Sequence, residues 1–140
     1  MPRFMLFMYP DWDDEPADEA TAEMYEAMNA YNEELIKAGA MLAGDGLHPP
    51  DGAASITWSA GKPKVTDGPF TEAKEVVGGY WIIQARSRDE AIEWATRIPP
   101  VQGTQRVEVR QIAELDELDE QIREKATLSQ EPPEQTKADI

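Results

Sequence analysis

The chain has 140 residues, of which 41% are hydrophobic and 29% charged, and its formal net charge is −15. This length and composition are typical of one domain with its own hydrophobic core. Only 13 basic residues stand against 28 acidic ones, whereas nucleic acids and anionic membranes are bound by clusters of Lys and Arg. We therefore expect neither a nucleic-acid partner nor a membrane partner.

Cysteine is absent from the sequence, which excludes disulfides, thiolate metal sites and cysteine nucleophiles. Met1-Pro2-Arg3 leads directly into a strand-like segment without the pattern of a signal peptide. No apolar run is long enough to span a bilayer. Together these features favour a cytoplasmic protein.

The first third of the chain predicts a strand, a helix and a second strand. Arg3 to Tyr9 is almost entirely apolar, which is typical of a strand covered on both faces. An acidic loop with Trp12 leads to a helix that has Asp18 as its N-cap and Gly39 beyond its C-terminus. Ala40 to Leu47 is the second strand, with glycines that indicate a bulge or bend. The core stripe predicted for the helix comprises Ala20, Met24, Ala27, Met28, Tyr31, Leu35 and Ile36.

A hairpin is predicted for the middle of the chain. Ala54 to Ala60 is a strand in which Ile56 and Trp58 share one face. Gly61-Lys62-Pro63 is the expected turn, and Lys64-Val65-Thr66 is the returning strand.

Two loops that contain Pro and Gly flank this hairpin. Gly46-Leu47-His48-Pro49-Pro50 precedes it, and Asp67-Gly68-Pro69-Phe70 follows it. In the second loop Gly68 accepts positive φ and favours a turn, and Pro69 ends the strand because it lacks an N–H. Since the two ends of a hairpin lie side by side, we expect the two loops to converge on one cavity.

The second half of the chain predicts a strand, a helix and a last strand. Gly78 to Arg86 is the first of these strands, and Ser87 with Glu90 forms a capping box for a helix that ends before Pro99. Thr104 to Ile112 alternates between apolar and charged residues, which is typical of a half-exposed strand. In the first of these strands, one predicted face has Tyr80 and Ile82 and the other has Trp81, Ile83 and Ala85. In the last strand, the inner face has Val107 and Val109 and the outer face has Arg106, Glu108 and Arg110.

The composition changes after residue 112. A short amphipathic helix is predicted from the spacing of Leu115, Leu118 and Ile122. Thr127 to Ile140 has almost no apolar residues and is expected to be disordered. We therefore divide the chain into a domain at 1–112 and an acidic C-terminal extension at 113–140.

The order of elements fits an α+β domain with a split βαβ arrangement, in which two helices lie on one face of an antiparallel sheet. Two helices cover one face only, yet the first strand is apolar on both. Leaving three large apolar side chains in water costs roughly 1.5–3 kcal/mol each. We therefore expect a partner subunit or a ligand on the second face.

Several segments in the same order resemble the YCII-related family, and specifically its DGPF branch. The segments are Asp67-Gly68-Pro69-Phe70 with Glu72, Lys74 and Glu75, then Gly78-Gly79-Tyr80, Gly46-Leu47-His48-Pro49-Pro50, Ser87 to Pro99 and Glu108-Val109-Arg110. The resemblance runs from about Arg3 to Ile112. It implies a ferredoxin-like domain with an inserted hairpin that pairs into a dimeric α/β barrel.

The resemblance implies less about function, because the family is largely uncharacterised. Some members have a His and Asp pair whose His lies on the first helix, and one relative is a dechlorinating enzyme. This chain has Tyr31 and Asn32 on that helix and no histidine there. DGPF domains are also similar to proteins found beside extracytoplasmic-function sigma factors, which implies a regulatory context.

His48 and Asp67 are the candidate catalytic residues. His48 is the single histidine, so its side chain is the one whose ordinary titration falls near neutral pH, and Asp67 is a carboxylate able to orient it. The structural alternative is that Asp67 caps its own turn while His48 points to solvent. The candidate ligand contacts are Phe70, Tyr80, Trp81 and Arg110, as aromatic walls and an anion contact.

Other site chemistries have no support in the sequence. One histidine without a paired-His or HExxH spacing predicts no metal site. The absence of GxSxG, GxGxxG and phosphate-loop motifs predicts no serine hydrolase site and no nucleotide cofactor.

Three classes of function follow. We favour a homodimer that binds a small molecule and has no assignable reaction. The alternatives are an enzyme that uses His48 and Asp67 for acid–base chemistry on a small organic substrate, and a regulatory or interaction module.

Overall fold

The described part of the chain forms a four-stranded sheet, a separate two-stranded hairpin and three α-helices. In a computed structural model of the chain, the described residues are 1–12, 18–68, 75–100 and 106–126. The strands are β1 (Arg3–Tyr9), β2 (Met41–Gly46), β3 (Ala54–Ser59), β4 (Lys62–Asp67), β5 (Gly79–Gln84) and β6 (Arg106–Gln111). The helices are α1 (Asp18–Lys37), α2 (Arg88–Thr96) and α3 (Glu120–Ala126), with 3-10 turns at Pro50–Gly52 and Leu115–Glu117. Within these ranges, no helix combines the length and apolar character needed to cross a bilayer.

The sheet has the strand order β2-β5-β1-β6, and each neighbouring pair is antiparallel. β1 and β2 are therefore parallel to each other, with β5 between them, and α1 connects them. β5 and β6 are likewise parallel, with β1 between them, and α2 connects them. Two interleaved βαβ units of this kind are a split βαβ arrangement, and the predicted α+β class with an antiparallel sheet is confirmed.

The hydrophobic core lies between the sheet and the helices α1 and α2. Tyr31 of α1 is at its centre, because its ring contacts the edges of Trp81 on β5 and Trp94 on α2, at centroid distances of 5.7 and 6.4 Å. The Tyr31 hydroxyl donates a hydrogen bond of 2.8 Å to the carbonyl oxygen of Trp94. The buried members of this core are Phe4, Leu6, Tyr31, Leu35, Ala40, Trp81, Ile83, Ala85 and Ala91.

The predicted faces of β5 and β6 are confirmed, but the predicted stripe of α1 is too wide. Tyr31 and Leu35 are buried, whereas Ala27 and Ile36 are exposed. Each residue turns the helix by about 100°, so Ile36 lies well to one side of Leu35 and beyond the edge of the contact with the sheet.

The expected C-terminal signal of α1 and the expected N-cap of α2 are present. Gly39 follows α1 with a φ of 70°, which only glycine adopts without strain, and Ala40 N–H bonds back to the Leu35 carbonyl at 2.9 Å. Ser87 Oγ accepts from the N–H of Glu90 at 3.2 Å, which confirms it as the N-cap of α2. The Glu90 carboxylate accepts from Arg86 Nε at 2.9 Å.

β2 is an irregular edge strand. Its pairing with β5 shifts register between Met41 and Ala43, so the expected bulge lies just before the glycines of this strand.

The hairpin turn lies at Ala60 and Gly61, not at the expected Gly61-Lys62-Pro63. Ala60 and Gly61 both have positive φ, at 51° and 77°, which gives the turn geometry that matches the twist of two strands. Pro63 therefore lies within β4, opposite Trp58, and Asp67 ends β4 opposite Ala54. Residue pairs in an antiparallel ladder alternate between hydrogen-bonded and non-hydrogen-bonded pairs. Counting from the turn, the pair of Trp58 and Pro63 is a non-hydrogen-bonded one. The missing N–H of Pro63 therefore costs no ladder hydrogen bond.

The segment after β6 differs from the expected amphipathic helix. Leu115 lies in the 3-10 turn, and α3 begins only at Glu120, so Leu115, Leu118 and Ile122 do not share one helix. Leu118 and Ile122 are exposed. The segment is fixed to β1 by Arg3, whose guanidinium binds the Glu114 carboxylate at 2.7 and 3.0 Å. The disorder predicted for 127–140 concerns residues outside the described ranges.

Tyr31→Phe should lower the stability and change its pH dependence. Loss of the buried hydrogen bond is expected to cost about 0.5–1.5 kcal/mol in the free energy of unfolding at neutral pH. Burial raises the pKa of Tyr31 in the folded protein. Above about pH 10, the ordinary pKa of tyrosine, the unfolded chain therefore binds fewer protons than the folded chain. The free energy of unfolding consequently falls as the pH rises. Urea denaturation from pH 7 to 11 should show a less steep alkaline fall in the variant. The control is Tyr25→Phe at an exposed position, and identical alkaline slopes for Tyr31→Phe and wild type would contradict this assignment.

Candidate functional site

A cavity of about 610 Å³ lies between the N-terminal part of α1 and one end of the sheet. This volume is large enough for a small organic molecule. Its lining comprises Met8, Pro10, Trp12, Thr21, Met24, Tyr25, Met28, Asn32, the segment Gly44–Pro49 and the segment Gly78–Trp81.

The cavity exists because the sheet has glycines where it faces α1. Gly44 pairs with Trp81, and Gly46 pairs with Gly79. Since paired residues point to the same face and Trp81 belongs to the core below the helices, all three glycines face α1. Without side chains at these positions the floor of the cavity is backbone. A Cβ built on Gly46 would meet no atom within 4 Å.

One wall is held by the segment after β1. The Trp12 indole N–H donates to the carbonyl oxygen of Val76 at 3.0 Å. Gly78 packs so closely on this segment that an added Cβ would lie 2.5 Å from Pro10 Cδ and 3.2 Å from Trp12 Cζ2. Gly78 also joins two strand ends, because its N–H bonds to the Met8 carbonyl and its carbonyl accepts from Leu47 N–H, each at 2.8 Å.

The opposite wall is held by Trp81 and Asn32. The Trp81 indole is buried, and its N–H donates to Asn32 Oδ1 at 2.8 Å. This bond fixes an amide of α1 at the cavity, next to Tyr31 in sequence. The wall and the core therefore share one set of contacts.

Of the five candidate residues within the described ranges, His48, Tyr80 and Trp81 contribute to the lining of this cavity, although the Tyr80 side chain lies on the other face of the sheet. His48 is exposed and stands at the rim, in the segment that follows β2. Asp67 is not among the lining residues, and it is exposed at the end of β4 opposite Ala54.

The two loops around the hairpin meet through other residues. Gly68 N–H donates to the Ala53 carbonyl at 2.7 Å, and Gly68 packs on the carbonyl of Pro50 so closely that no side chain fits there. The contact between the loops is thus made by Gly68 and Pro50, while His48 faces the cavity.

The other two candidates lie elsewhere. Arg110 pairs with Met5 on β1 and is exposed. Its neighbour Val109 packs into the core below the helices, so Arg110 lies on the other sheet face, 3.9 Å from the Glu108 carboxylate. Phe70 is outside the described residues.

The sequence reasoning missed the pair of Asp45 and Tyr80. These residues lie opposite each other on β2 and β5, and the Tyr80 hydroxyl donates to Asp45 Oδ2 at 2.7 Å. This hydrogen bond and the charge of Asp45 raise the pKa of Tyr80. The alternation of the strands turns both side chains away from α1, so they lie behind the cavity floor.

The residues that line the cavity are better suited to binding a small molecule than to catalysing a reaction. Among the described lining residues, Asp45 is the one with a permanently charged side chain, and its carboxylate is already bonded to Tyr80. The walls are mainly methionine and aromatic side chains, which bind apolar and planar molecules. Among these lining residues, His48 is the one with an imidazole side chain.

The fold and the site define an α+β domain with a split βαβ sheet and a cavity under its first helix. The chain belongs to the YCII-related family, whose domain model matches residues 3–116, so the resemblance seen in the sequence is confirmed. It is 37% identical over 68 residues to an uncharacterized protein of Rhizobium meliloti. That match covers 49% of this chain and 55% of the relative, or about half the length of each.

Two alanine substitutions test the construction of the cavity. Gly78→Ala should lower the free energy of unfolding by about 1–3 kcal/mol, because Pro10 and Trp12 must move to admit the methyl group. The matched control is Gly46→Ala, whose methyl group meets open space, and it should be neutral or stabilising by up to about 1 kcal/mol. Chemical denaturation measures both. Equal effects at the two positions would contradict the described contacts of Gly78.

Proposed function

We propose that this protein is a homodimeric domain that binds a small, largely apolar organic molecule in the cavity under α1, with no reaction assigned. The observation that carries the proposal is the cavity itself. Its volume of about 610 Å³ lies within the roughly 300–1,000 Å³ of ligand sites in general.

The chemistry of the walls supports an apolar, planar ligand. Met8, Met24 and Met28 line one region of the cavity, and methionine side chains adapt to ligands of varied shape. Trp12 has its indole N–H bonded within the protein and is only partly buried, so its ring can contact a flat molecule.

Binding can be measured with the neutral aromatic dye N-phenyl-1-naphthylamine. Wild-type protein should increase the dye's fluorescence, and Gly46→Leu should weaken binding at least tenfold because the new side chain fills the cavity. The control is Gly52→Leu, at a glycine outside the cavity where an added Cβ also meets no atom within 4 Å. Equal dye binding by the wild type and the Gly46→Leu variant would contradict a ligand site in this cavity.

The homodimer is supported by the sheet face that the helices leave uncovered. Met5, Phe7 and Ile82 alternate with the core residues of β1 and β5 and are only partly buried. Covering such side chains contributes about 1.5–3 kcal/mol each, which is large against a domain stability of about 5–15 kcal/mol. We further assign the chain to the DGPF branch, through Asp67-Gly68-Pro69-Phe70, and to a ferredoxin-like domain that pairs as a dimeric α/β barrel.

Light scattering at micromolar concentration should give twice the 15.7 kDa mass of one chain. Ile82→Lys should shift the protein toward monomer, because it places a charge in the proposed contact. The control is Ala22→Lys on the exposed side of α1, with circular dichroism to verify folding. A monomeric wild type would contradict the homodimer.

An enzyme is the second candidate, because His48 stands at the rim of the cavity. Acid–base chemistry by His48 with Asp67 requires the carboxylate to approach the ring. His48→Gln separates the two candidates, since it should leave dye binding intact in a binding domain but abolish turnover in an enzyme.

A further inference from the structure

The hairpin formed by β3 and β4 has one apolar and one polar face. Its register pairs Ile56 with Val65 and Trp58 with Pro63, and paired residues share a face. The apolar face is Ala54, Ile56, Trp58, Pro63 and Val65, with Asp67 at its base, and the polar face is Ser55, Thr57, Ser59, Lys62, Lys64 and Thr66.

This hairpin stands away from the rest of the domain. All of its strand residues except Ser55 are exposed, and the exposed fractions of Ile56, Trp58 and Val65 are 45%, 68% and 64%. A two-stranded hairpin alone is only marginally stable in water. Strict alternation is typical of a sheet with one face packed on other protein, but the described domain leaves the apolar face uncovered.

We propose that the apolar face of this hairpin packs against a second copy of the chain. The inference rests on the proposed homodimer and names an element that the partner covers in addition to the main sheet. An exposed tryptophan at the centre of an apolar patch is also the kind of residue on which stable interfaces depend.

The distribution of charge favours a second copy as the partner. The six strands carry five basic and three acidic residues, whereas α1 alone carries six acidic residues and one Lys. In a two-fold arrangement the same surface of each copy meets, and two copies of a chain with a net charge of −15 repel each other less when strands face strands than when α1 faces α1.

The sizes of the uncovered surfaces also favour a second copy of the chain as the partner. A hairpin of six-residue strands offers a face of about 20 by 10 Å, or about 200 Å², whereas a specific interface buries roughly 800 Å² on each side. The uncovered face of the four-stranded sheet adds about 400 Å² on the same geometry. Together the two surfaces give about 600 Å² on each side, or about 1,200 Å² in a two-fold interface, which is the lower end of the roughly 1,200–2,000 Å² that specific interfaces bury.

Docking of the hairpin would also affect the cavity. The base of the hairpin is fixed to Pro50 through Gly68, and the residues directly before Pro50 are the lining residues His48 and Pro49. A partner that holds the hairpin therefore holds this part of the cavity rim.

The absence of cysteine from the chain allows a direct test with one introduced thiol. Bimane attached to the Val65→Cys variant should shift its emission to shorter wavelength at concentrations where the protein is dimeric, and lose that shift on dilution to monomer. The matched control is Lys64→Cys on the polar face, which should show no shift. A shift at position 65 that persists in the monomer means that the chain covers its own hairpin, and no shift at any concentration means that the face stays free. Either result overturns the proposal.

A second pair of variants measures the effect on assembly. Trp58→Lys should raise the dimer dissociation constant at least tenfold in sedimentation analysis, whereas Thr57→Lys on the polar face should change it less than twofold. Both positions are exposed, so the monomer fold should survive, as circular dichroism will verify. A dimer that is unchanged by Trp58→Lys overturns the role of the hairpin but leaves the homodimer, whereas a monomeric wild type overturns both.

Discussion

The contact of Tyr31 with Trp81 and Trp94 holds the structure together, because it joins α1, β5 and α2 at one point. The two rings meet Tyr31 edge-on, an arrangement that aromatic pairs prefer. The neighbouring residue Asn32 accepts the indole N–H of Trp81, so the same turn of α1 sets the packing of the core and one wall of the cavity. A change in the tilt of α1 would therefore alter both the core packing and this cavity wall. This explains how a small domain keeps an open cavity beside its core without losing a fixed geometry.

The cavity is a consequence of where the glycines lie. An added Cβ at Gly44 would lie 2.8 Å from Met41 Cε and 3.0 Å from Trp81 Cδ1, whereas one at Gly46 would meet no atom within 4 Å. A side chain at Gly46 would therefore have continued the core under the N-terminal part of α1, as Trp81 and Ile83 do under its C-terminal part. Its absence forgoes hydrophobic burial in the free protein and leaves space that another molecule can occupy. Gly78 has a different reason to be glycine, since Pro10 and Trp12 occupy the volume of its missing side chain. The glycines near this site thus serve two purposes, and only the geometry distinguishes them.

The sequence predicted the fold far better than the site. Alternation assigned the faces of β5 and β6 correctly, and capping signals located Ser87 and Gly39, because these patterns depend on residues close in the chain. The pair of Asp45 and Tyr80 depends on the register of two strands after a bulge, which no local pattern specifies. Pro63 was predicted to lie in the turn, but it lies within β4. A strand accepts proline where the ladder has no N–H hydrogen bond, and the sequence alone does not show which positions these are. Likewise, two loops flanking a hairpin were expected to meet, and they do meet, but through Gly68 and Pro50.

The irregularity of β2 has a consequence for how copies of this protein can associate. β2 and β6 are the two outer strands of the main sheet, and an outer strand with free N–H and C=O groups can recruit a strand from another molecule and grow into a fibre. β2 resists this because its register shift and its glycines prevent a straight, regular ladder along its free side. β6 resists it through alternating Arg106, Glu108 and Arg110. Both borders of the sheet are thus closed to open-ended polymerisation.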